Sequence, residues 1–265
     1  MQAFHSDYIC LTNFIKQTNI IMEITKQITL AEVVREKFRT AAIFESYGLD
    51  YCCRGNRSIE EACKEKKLDA EKLISELSMF EYVQVNSNNF DEWKLDKLID
   101  YIVNIHHSYV KNSLPKITEH LQKTHLAHGD NHPELIEIES IFLEVKNELE
   151  SHMLKEERML FPYIKNLVKS KRESLDFVMP PFGTVANPIS VMEKEHESAG
   201  NALYKIGDLS NNYTTPSDAC NTYKVLYEEL KEFENDLHIH IHLENNILHP
   251  KAKVLESEIK NAVII

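Results

Sequence analysis

The chain has 265 residues, enough for one large or two smaller domains, and its 6 Gly and 8 Pro residues are few, which favours a mostly helical protein. The formal net charge of −12 argues against nucleic acid or an anionic membrane surface as a partner. No stretch approaches the roughly 20 apolar residues of a membrane-spanning helix, and the 5 cysteines lack a disulfide-framework spacing. We therefore expect an all-α, cytoplasmic protein.

The start of the chain divides into an extension and a small domain. Residues 1–21 carry apolar side chains without a periodic pattern, and we expect a disordered extension or a start codon placed too early. Residues 22–85 are predicted to form a small helical domain. The polar run at 86–89, Asn-Ser-Asn-Asn, is the predicted linker to the remainder.

Helix signals follow one another within this small domain. A capping box at Thr29–Glu32 begins the first helix, with apolar residues at helical intervals up to a C-cap signal at Gly48. A second helix begins at Ser58 and a third at Asp69. The domain is thus predicted to contain three helices.

Two adjacent cysteines, Cys52 and Cys53, lie in a tight turn flanked by glycines. Adjacent cysteines cannot form a relaxed disulfide with each other, and their spacing does not match a zinc ribbon. Two interpretations stay open. They are a pair of small buried residues, or a partly exposed thiol pair that binds or transfers a metal or senses oxidation.

Residues 90–256 are predicted to form an antiparallel four-helix bundle. Its first helix covers residues 91–127 and turns back at Gly129–Pro133. After the second helix, the segment Ser170–Pro188 is predicted to be a long crossing loop to the third, and a loop at Asn211–Pro216 leads into the last.

Imidazoles and carboxylates interrupt the apolar faces of these helices. His240 and Glu244 lie one turn apart on the apolar stripe of the last helix, and His152 and Glu156 repeat this spacing on the second. A buried carboxylate needs a cation or a proton. One such pair could be an ordinary hydrogen-bonded couple, but two copies are what a two-metal bundle core requires.

Two further histidines complete the predicted site. His196 interrupts the apolar stripe of the third helix, and His107 reaches the level of His152 because the hairpin turn lies midway between them. The adjacent His106 begins a more polar face, so the count favours His107 as the inward residue. The predicted ligands are therefore His107, His152, Glu156, His196, His240 and Glu244.

Nitrogen and oxygen ligands without thiolate suit iron or manganese, and zinc is also compatible. Six protein ligands cannot saturate two metals that each take five or six donors. Bridging carboxylates and a solvent-derived oxo or hydroxo group would complete the set and leave open positions for a small molecule.

The segments around these residues resemble a known family. Tyr47–Gly55 looks like the signature of the small N-terminal domain of the Repair of Iron Centres family, and Ser151–Glu157, Pro188–His196 and His240–Asn246 look like its metal-binding segments in a hemerythrin-like bundle. The resemblance implies two iron ions, the four histidines as terminal ligands and the two glutamates as bridges. It also implies that Glu148 and Glu195 line a channel to the metal.

That resemblance implies repair of iron–sulfur clusters damaged by nitrosative or oxidative stress, with damaged iron–sulfur proteins as partners. The bundle would donate iron, and Cys52 and Cys53 would dock or relay it. The alternative is a hemerythrin-like protein that binds or reduces nitric oxide or oxygen, so whether the protein is an enzyme stays open, as does a homodimer. Further histidines are expected to be surface groups or partners of ligands: His106, His125, His128, His132, His238 and His242.

Overall fold

A computed structural model of the protein describes residues 24–79 and 89–262. Within these ranges the regular secondary structure is helical, apart from one isolated antiparallel bridge between Thr29 and Ser58. The predicted all-α class is confirmed. The predicted extension and almost all of the predicted linker lie outside the described residues. None of the helices in the described ranges is long and apolar enough to cross a membrane.

The small domain contains four short α-helices: α1 (Leu30–Glu36), α2 (Ala41–Ser46), α3 (Ile59–Lys66) and α4 (Ala70–Met79). Thr29 and Ser58 form the predicted capping boxes, with Glu32 and Glu61. Gly48 has a φ of 61°, the left-handed conformation that favours glycine after a helix.

The first helix of this domain is not continuous, contrary to the prediction. It ends at Glu36, Lys37 has an extended φ of −134°, and a 3₁₀ turn at Phe38–Thr40 precedes α2. This break brings the ring of Phe38 to 5.0 Å from the ring of Phe90, at the start of the bundle. Packing against the bundle thus interrupts a helix that local periodicity would continue.

The bundle consists of α5 (Leu95–Tyr101), α6 (Ser108–His128), α7 (Glu134–Lys155), α8 (Phe161–Glu173), α9 (Ala186–Leu209), α10 (Asn221–Leu243) and α11 (His249–Ala262). Helices α6 and α9 each pack against both α7 and α10. Helices α5 and α6, α7 and α8, and α10 and α11 are joined end to end by π-helical turns, so four long helical rods form the predicted antiparallel arrangement.

Two predicted boundaries of the bundle differ from the structure. Residues 90–92 form a 3₁₀ turn and the α-helix begins only at Leu95. The crossing loop is shorter than predicted because α8 continues to Glu173 and α9 begins at Ala186. Pro188 lies in the first turn of α9, where its missing N–H has no helical partner to lose.

The three π turns cover Ile102–His107, Glu156–Leu160 and Glu244–Leu248. Each therefore contains or begins with one of the predicted ligands. A π turn inserts one residue into an α-helix and is frequent at functional sites. The insertion changes which side chains after it face the bundle interior.

The predicted ligands form a polar layer between two apolar ones. On one side the core includes Val110, Leu149 and Leu237, and it continues without a gap into the small domain. On the other side it includes Ile102 and Leu243. The small domain is thus packed directly on the bundle, while the predicted domain boundaries stay a prediction.

Candidate metal centre

Two overlapping groups of ligand-type residues lie at the centre of the bundle. One consists of His107, Glu156, His240 and Glu244, and the other of His152, Glu156, His196 and Glu244. In each group the ligand atoms lie within 4.8 Å of one another. Each of these residues is at most 2% exposed. The structure thus brings all six predicted ligands together, in two sets that share both carboxylates.

The closest atoms of these groups point at a common space. The Nε2 atoms of His152 and His196 are 3.0 Å apart, and the Nε2 of His196 is 3.0 Å from Oε2 of Glu244. Oε2 of Glu156 lies 3.3 Å from the Nε2 atoms of both His107 and His152. Side chains from four rods therefore converge there.

Several of these buried atoms form no contact of hydrogen-bond geometry among the described residues, although some lie 3.0 to 3.3 Å from an atom of the opposite type. They include both carboxylate oxygens of Glu156, Oε2 of Glu244 and Nε2 of His107. An unsatisfied buried polar atom costs about 1–3 kcal/mol, so a cluster of them indicates a ligand. Imidazole and carboxylate donors without thiolate fit iron, manganese or zinc. The residues present therefore fit a pair of divalent metal ions.

The charges at this centre are set by the residues themselves. Burial lowers the pKa of His107, but Glu156 and Glu244 outweigh burial and raise this pKa to about 10. Burial also lowers the pKa of His152, but chiefly the charge of Glu156 raises it to about 9. Burial and Glu244 raise the pKa of Glu156, yet the imidazoles lower it to about 2. A metal ion must therefore displace protons from His107 and His152.

Three of the four imidazoles use Nδ1 in a hydrogen bond outside the centre. The acceptors are Glu157 for His107 at 2.7 Å, Glu195 for His152 at 2.9 Å and Asn245 for His196 at 2.8 Å. A carboxylate can only accept, so the Nδ1 atoms of His107 and His152 carry hydrogen. Such partners fix the tautomer that leaves the Nε2 lone pair for a metal.

Two of these acceptors, Glu157 and Asn245, were not predicted from the sequence. A positional signal would have found them, because each directly follows one of the shared glutamates, Glu156 and Glu244. In each π turn that begins at one of these glutamates, this next residue projects to one side of the glutamate and contacts an imidazole of the neighbouring rod. The repeated pattern therefore includes the residue after the glutamate, which accepts a hydrogen bond from an imidazole of another helix.

His249 is a further buried histidine that the sequence prediction missed. It is 0% exposed, neither ring nitrogen has a hydrogen-bond partner among the described residues, and its ring lies parallel to that of His196 at 6.1 Å. Burial lowers its pKa to about 4, so the ring is neutral. Phe161 has the corresponding position after the other π turn, where it stacks on His107 at 5.6 Å.

The two residues predicted to line a channel lie together at the surface between α7 and α9. Glu148 is exposed and accepts a hydrogen bond from Ser198 Oγ at 3.3 Å. Glu195 is half-buried, bonded to His152 and paired with Lys155. Both line one groove. Glu195 therefore connects this groove to the metal centre.

The cysteine turn lies against the same centre. The Sγ of Cys53 is 3.5 Å from the backbone oxygen of His196. Cys52 is buried, and the hydrogen bond that its thiol donates to Cys53, together with burial, raises its pKa well above the ordinary value. Asp50 was not predicted, yet its Oδ1 accepts the backbone N–H groups of Cys52 at 3.0 Å and Cys53 at 2.9 Å. Asp50, Cys52 and Cys53 form a third group with ligand atoms within 4.8 Å.

Among the remaining histidines, two are more buried than expected. His106 is 3% exposed, bonds Asp236 at 2.9 Å and stacks on His240 at 5.7 Å. The count that gave it a polar face used residues after the π turn that ends at His107, whereas its burial comes from Asp236 and His240 on the last rod. His242 is fully buried and contacts the ring of Tyr51 at 5.7 Å.

The other histidines lie outside both metal groups. His125 and His132 are half-buried and paired with Glu139 and Asp218. His128 is likewise half-buried, with its ring 5.4 Å from that of Tyr223. His238, also half-buried, contacts the ring of Tyr51 at 6.3 Å.

The small domain and the bundle each match a known protein-family model. Residues 26–81 match the model of an N-terminal domain of unknown function, ScdA_N, and residues 98–252 match the hemerythrin HHE cation binding domain. Iron-sulfur cluster repair protein ScdA of Staphylococcus haemolyticus is 32% identical over 228 residues, covering 86% of this chain and 99% of the relative. The chain belongs to the family of iron–sulfur cluster repair proteins.

Two further members of this family are similar to the chain over nearly the same length. Iron-sulfur cluster repair protein YtfE of an Enterobacter species is 34% identical over 226 residues, which cover 84% of this chain and 95% of the relative. YtfE of Musicola paradisiaca is 33% identical over 227 residues, which cover 86% and 96%. The match to the cation-binding domain includes all six residues of the two central groups.

Proposed function

We propose that the central residues bind two iron ions bridged by Glu156 and Glu244. The observation that carries this proposal is that both groups contain these two carboxylates, while each group has its own pair of imidazoles. The terminal ligands would be His107 and His240 for one ion, and His152 and His196 for the other. Six side chains leave room at two such ions for a solvent-derived oxo or hydroxo bridge and for a small molecule such as nitric oxide or oxygen.

The function we propose is repair of iron–sulfur clusters damaged by nitrosative or oxidative stress, with iron as the donated cargo. The relatives named iron-sulfur cluster repair protein align with this chain over almost their full length. A donor must release its metal, and the groove between α7 and α9 reaches His152 through Glu195. Carboxylates along that groove, Glu148 and Glu195, would attract the leaving cation.

The cysteine turn supports a role in transfer rather than in storage alone. Cys53 touches the backbone of His196, and Asp50, Cys52 and Cys53 form a small group of metal-type ligands next to the centre. Metal binding would convert the thiols to thiolates, which are soft ligands that suit iron on its way to a cluster. The partner in this reaction is the damaged iron–sulfur protein.

The decisive experiment mixes the iron-loaded protein with an enzyme whose cluster has lost iron and follows the return of that enzyme's activity. Controls are the metal-free protein and an equal amount of free ferrous ion in the presence of a chelator. Recovery only with the loaded protein supports donation. Recovery equal to that with free iron would contradict it.

A second candidate is reduction of nitric oxide, which the contact between Cys53 and His196 favours because Cys53 and an external thiol reductant could return two electrons to the centre on forming a mixed disulfide. Reduction of two nitric oxide molecules to nitrous oxide and water takes two electrons, which two ferrous ions could supply, and two protons, which would come from solvent. Repeated nitrous oxide formation under a thiol reductant, without cluster repair, would favour this reaction over donation.

A further inference from the structure

The imidazoles of the centre use chemically different acceptors for the same task, because carboxylates serve His107 and His152 whereas an amide serves His196. Glu157 accepts the Nδ1 hydrogen of His107 at 2.7 Å, and Asn245 accepts that of His196 at 2.8 Å. Either a carboxylate or an amide can orient an imidazole. The amide, however, also carries a donor, which sets the acceptor of His196 apart from those of His107 and His152.

The Nδ2 of Asn245 lies 3.5 Å from the backbone oxygen of Cys52. A carbonyl oxygen only accepts, so it directs the amide nitrogen towards Cys52 and Oδ1 towards His196. The Nδ1 of His196 must then carry the hydrogen. The lone pair is left on its Nε2, which faces Glu244 at 3.0 Å and His152 at 3.0 Å.

Other contacts bind the cysteine turn to the same region. The Nδ2 of Asn246 lies 3.3 Å from the backbone oxygen of Tyr51 and 3.4 Å from that of Cys52. The thiol of Cys53 donates to the backbone oxygen of His196 at 3.5 Å. The turn is therefore docked where its backbone can act on a metal-binding imidazole.

We propose that Asn245 is a positioning residue that couples the docked cysteine turn to the metal centre. The Cys52 carbonyl, acting through Asn245, selects the tautomer of His196 that can bind a metal ion, and this inference rests on the proposed di-iron site. Docking of the turn then strengthens binding of the ion at His152 and His196, and by linkage that ion strengthens docking. A partner that displaces the turn loosens the iron that it is to receive.

The test uses the full chain and compares Asn245→Ala, Asn245→Asp and Asn246→Ala. Two quantities are measured: ferrous ion retained against a chelator without oxygen, and the maleimide labelling rates of Cys52 and Cys53, resolved by peptide mass spectrometry. Asn245→Ala should lose about 10- to 100-fold in affinity for one of the two ions. It should also raise labelling about three- to tenfold, as expected for a lost hydrogen bond.

The two other variants separate orientation from docking. Asn245→Asp should keep iron, since a carboxylate can accept from His196 as Glu157 does from His107, yet raise labelling because it cannot donate to Cys52. Asn246→Ala keeps the Asn245 contacts, and it should raise labelling with less than about a threefold change in iron affinity.

Three results would overturn the proposal: unchanged iron affinity in Asn245→Ala, no rescue by Asn245→Asp, or equal iron loss in Asn246→Ala. Failure of the di-iron assignment would look different. It would appear in the unmodified protein, as fewer than two ions bound per chain before any substitution was made.

Discussion

Metal affinity at this centre should rise steeply with pH. Each of the two ligand groups contains one imidazole whose pKa is raised in the metal-free protein, to about 10 for His107 and about 9 for His152. Below these values each ion must displace one proton to bind. The apparent affinity of each position should therefore rise about tenfold per pH unit, or about 100-fold between roughly pH 6.5 and 8.5.

The stability of the metal-free protein should change with pH in the opposite sense. An unfolded histidine has a pKa of about 6.5. Because the folded values of His107 and His152 are higher, their protonated forms stabilise the fold fully below about pH 6.5. This contribution is lost as pH rises through about 9 to 10. Metal-free protein should thus melt at a lower temperature at pH 10 than at pH 7.

The assay for affinity is competition for zinc ion with a chelating dye at fixed ionic strength, which avoids the redox chemistry of iron. His152→Ala should remove the proton that a metal ion has to displace in the group of His152 and His196, and so flatten the pH dependence of affinity there. His125→Ala is the matched control, since His125 pairs with Glu139 away from both groups and should leave the slope unchanged. A flat affinity between pH 6.5 and 8.5 would refute the charge assignment.

Four further variants test the assignment of roles. Replacing both Cys52 and Cys53 by Ala should leave iron content unchanged but weaken repair, because Asn245 contacts a backbone oxygen and not a thiol; iron analysis and the repair assay check this. His249→Phe should keep both ions and raise the stability of the metal-free protein by about 1–3 kcal/mol, seen on melting, because two unpartnered ring nitrogens are removed. His107→Ala should lose one ion whereas His106→Ala keeps both, by iron analysis; loss of an ion from the second variant would make His106 a ligand.

The inward position of the central His and Glu residues could be predicted because helical periodicity fixes which residues share a face. His240 and Glu244, and His152 and Glu156, needed only a step of one turn on an apolar stripe. The structure brings these pairs together through the shared carboxylates. Such local geometry does not depend on where the other elements pack.

Hydrophobic periodicity could not show where a π turn interrupts the regular α-helix. His106 and His107 are both buried at the end of a π turn, where the count along a regular helix favours His107 alone. The π turn after Glu244 likewise places His249 beside His196. An inserted residue has no signature in hydrophobic spacing until the turn has been placed.

The packing of the small domain against the bundle could not be predicted from the sequence either. Cys52 and Cys53 are distant in sequence from His196 and Asn245, and each half has its own helix signals. Their contact depends on the packing of Tyr51 against His242. Such a long-range contact depends on the shapes of both packed surfaces. The residue pattern of a single helix does not encode these shapes.

The asymmetry of the two halves predicts which ion leaves first. The half with His107 is closed by Phe161 and by Glu157, which also pairs with Lys111 at 2.6 Å. The half with His152 and His196 borders both the groove, through Glu195, and the cysteine turn.

We therefore expect a chelator to remove iron in two phases, the faster one from the His152 and His196 position. Glu195→Ala should accelerate only the fast phase, because it frees the imidazole of His152. Glu157→Ala should accelerate only the slow phase, through His107. A single phase, or a fast phase that responds to Glu157→Ala, would show that the groove and the cysteine turn do not distinguish the two ions.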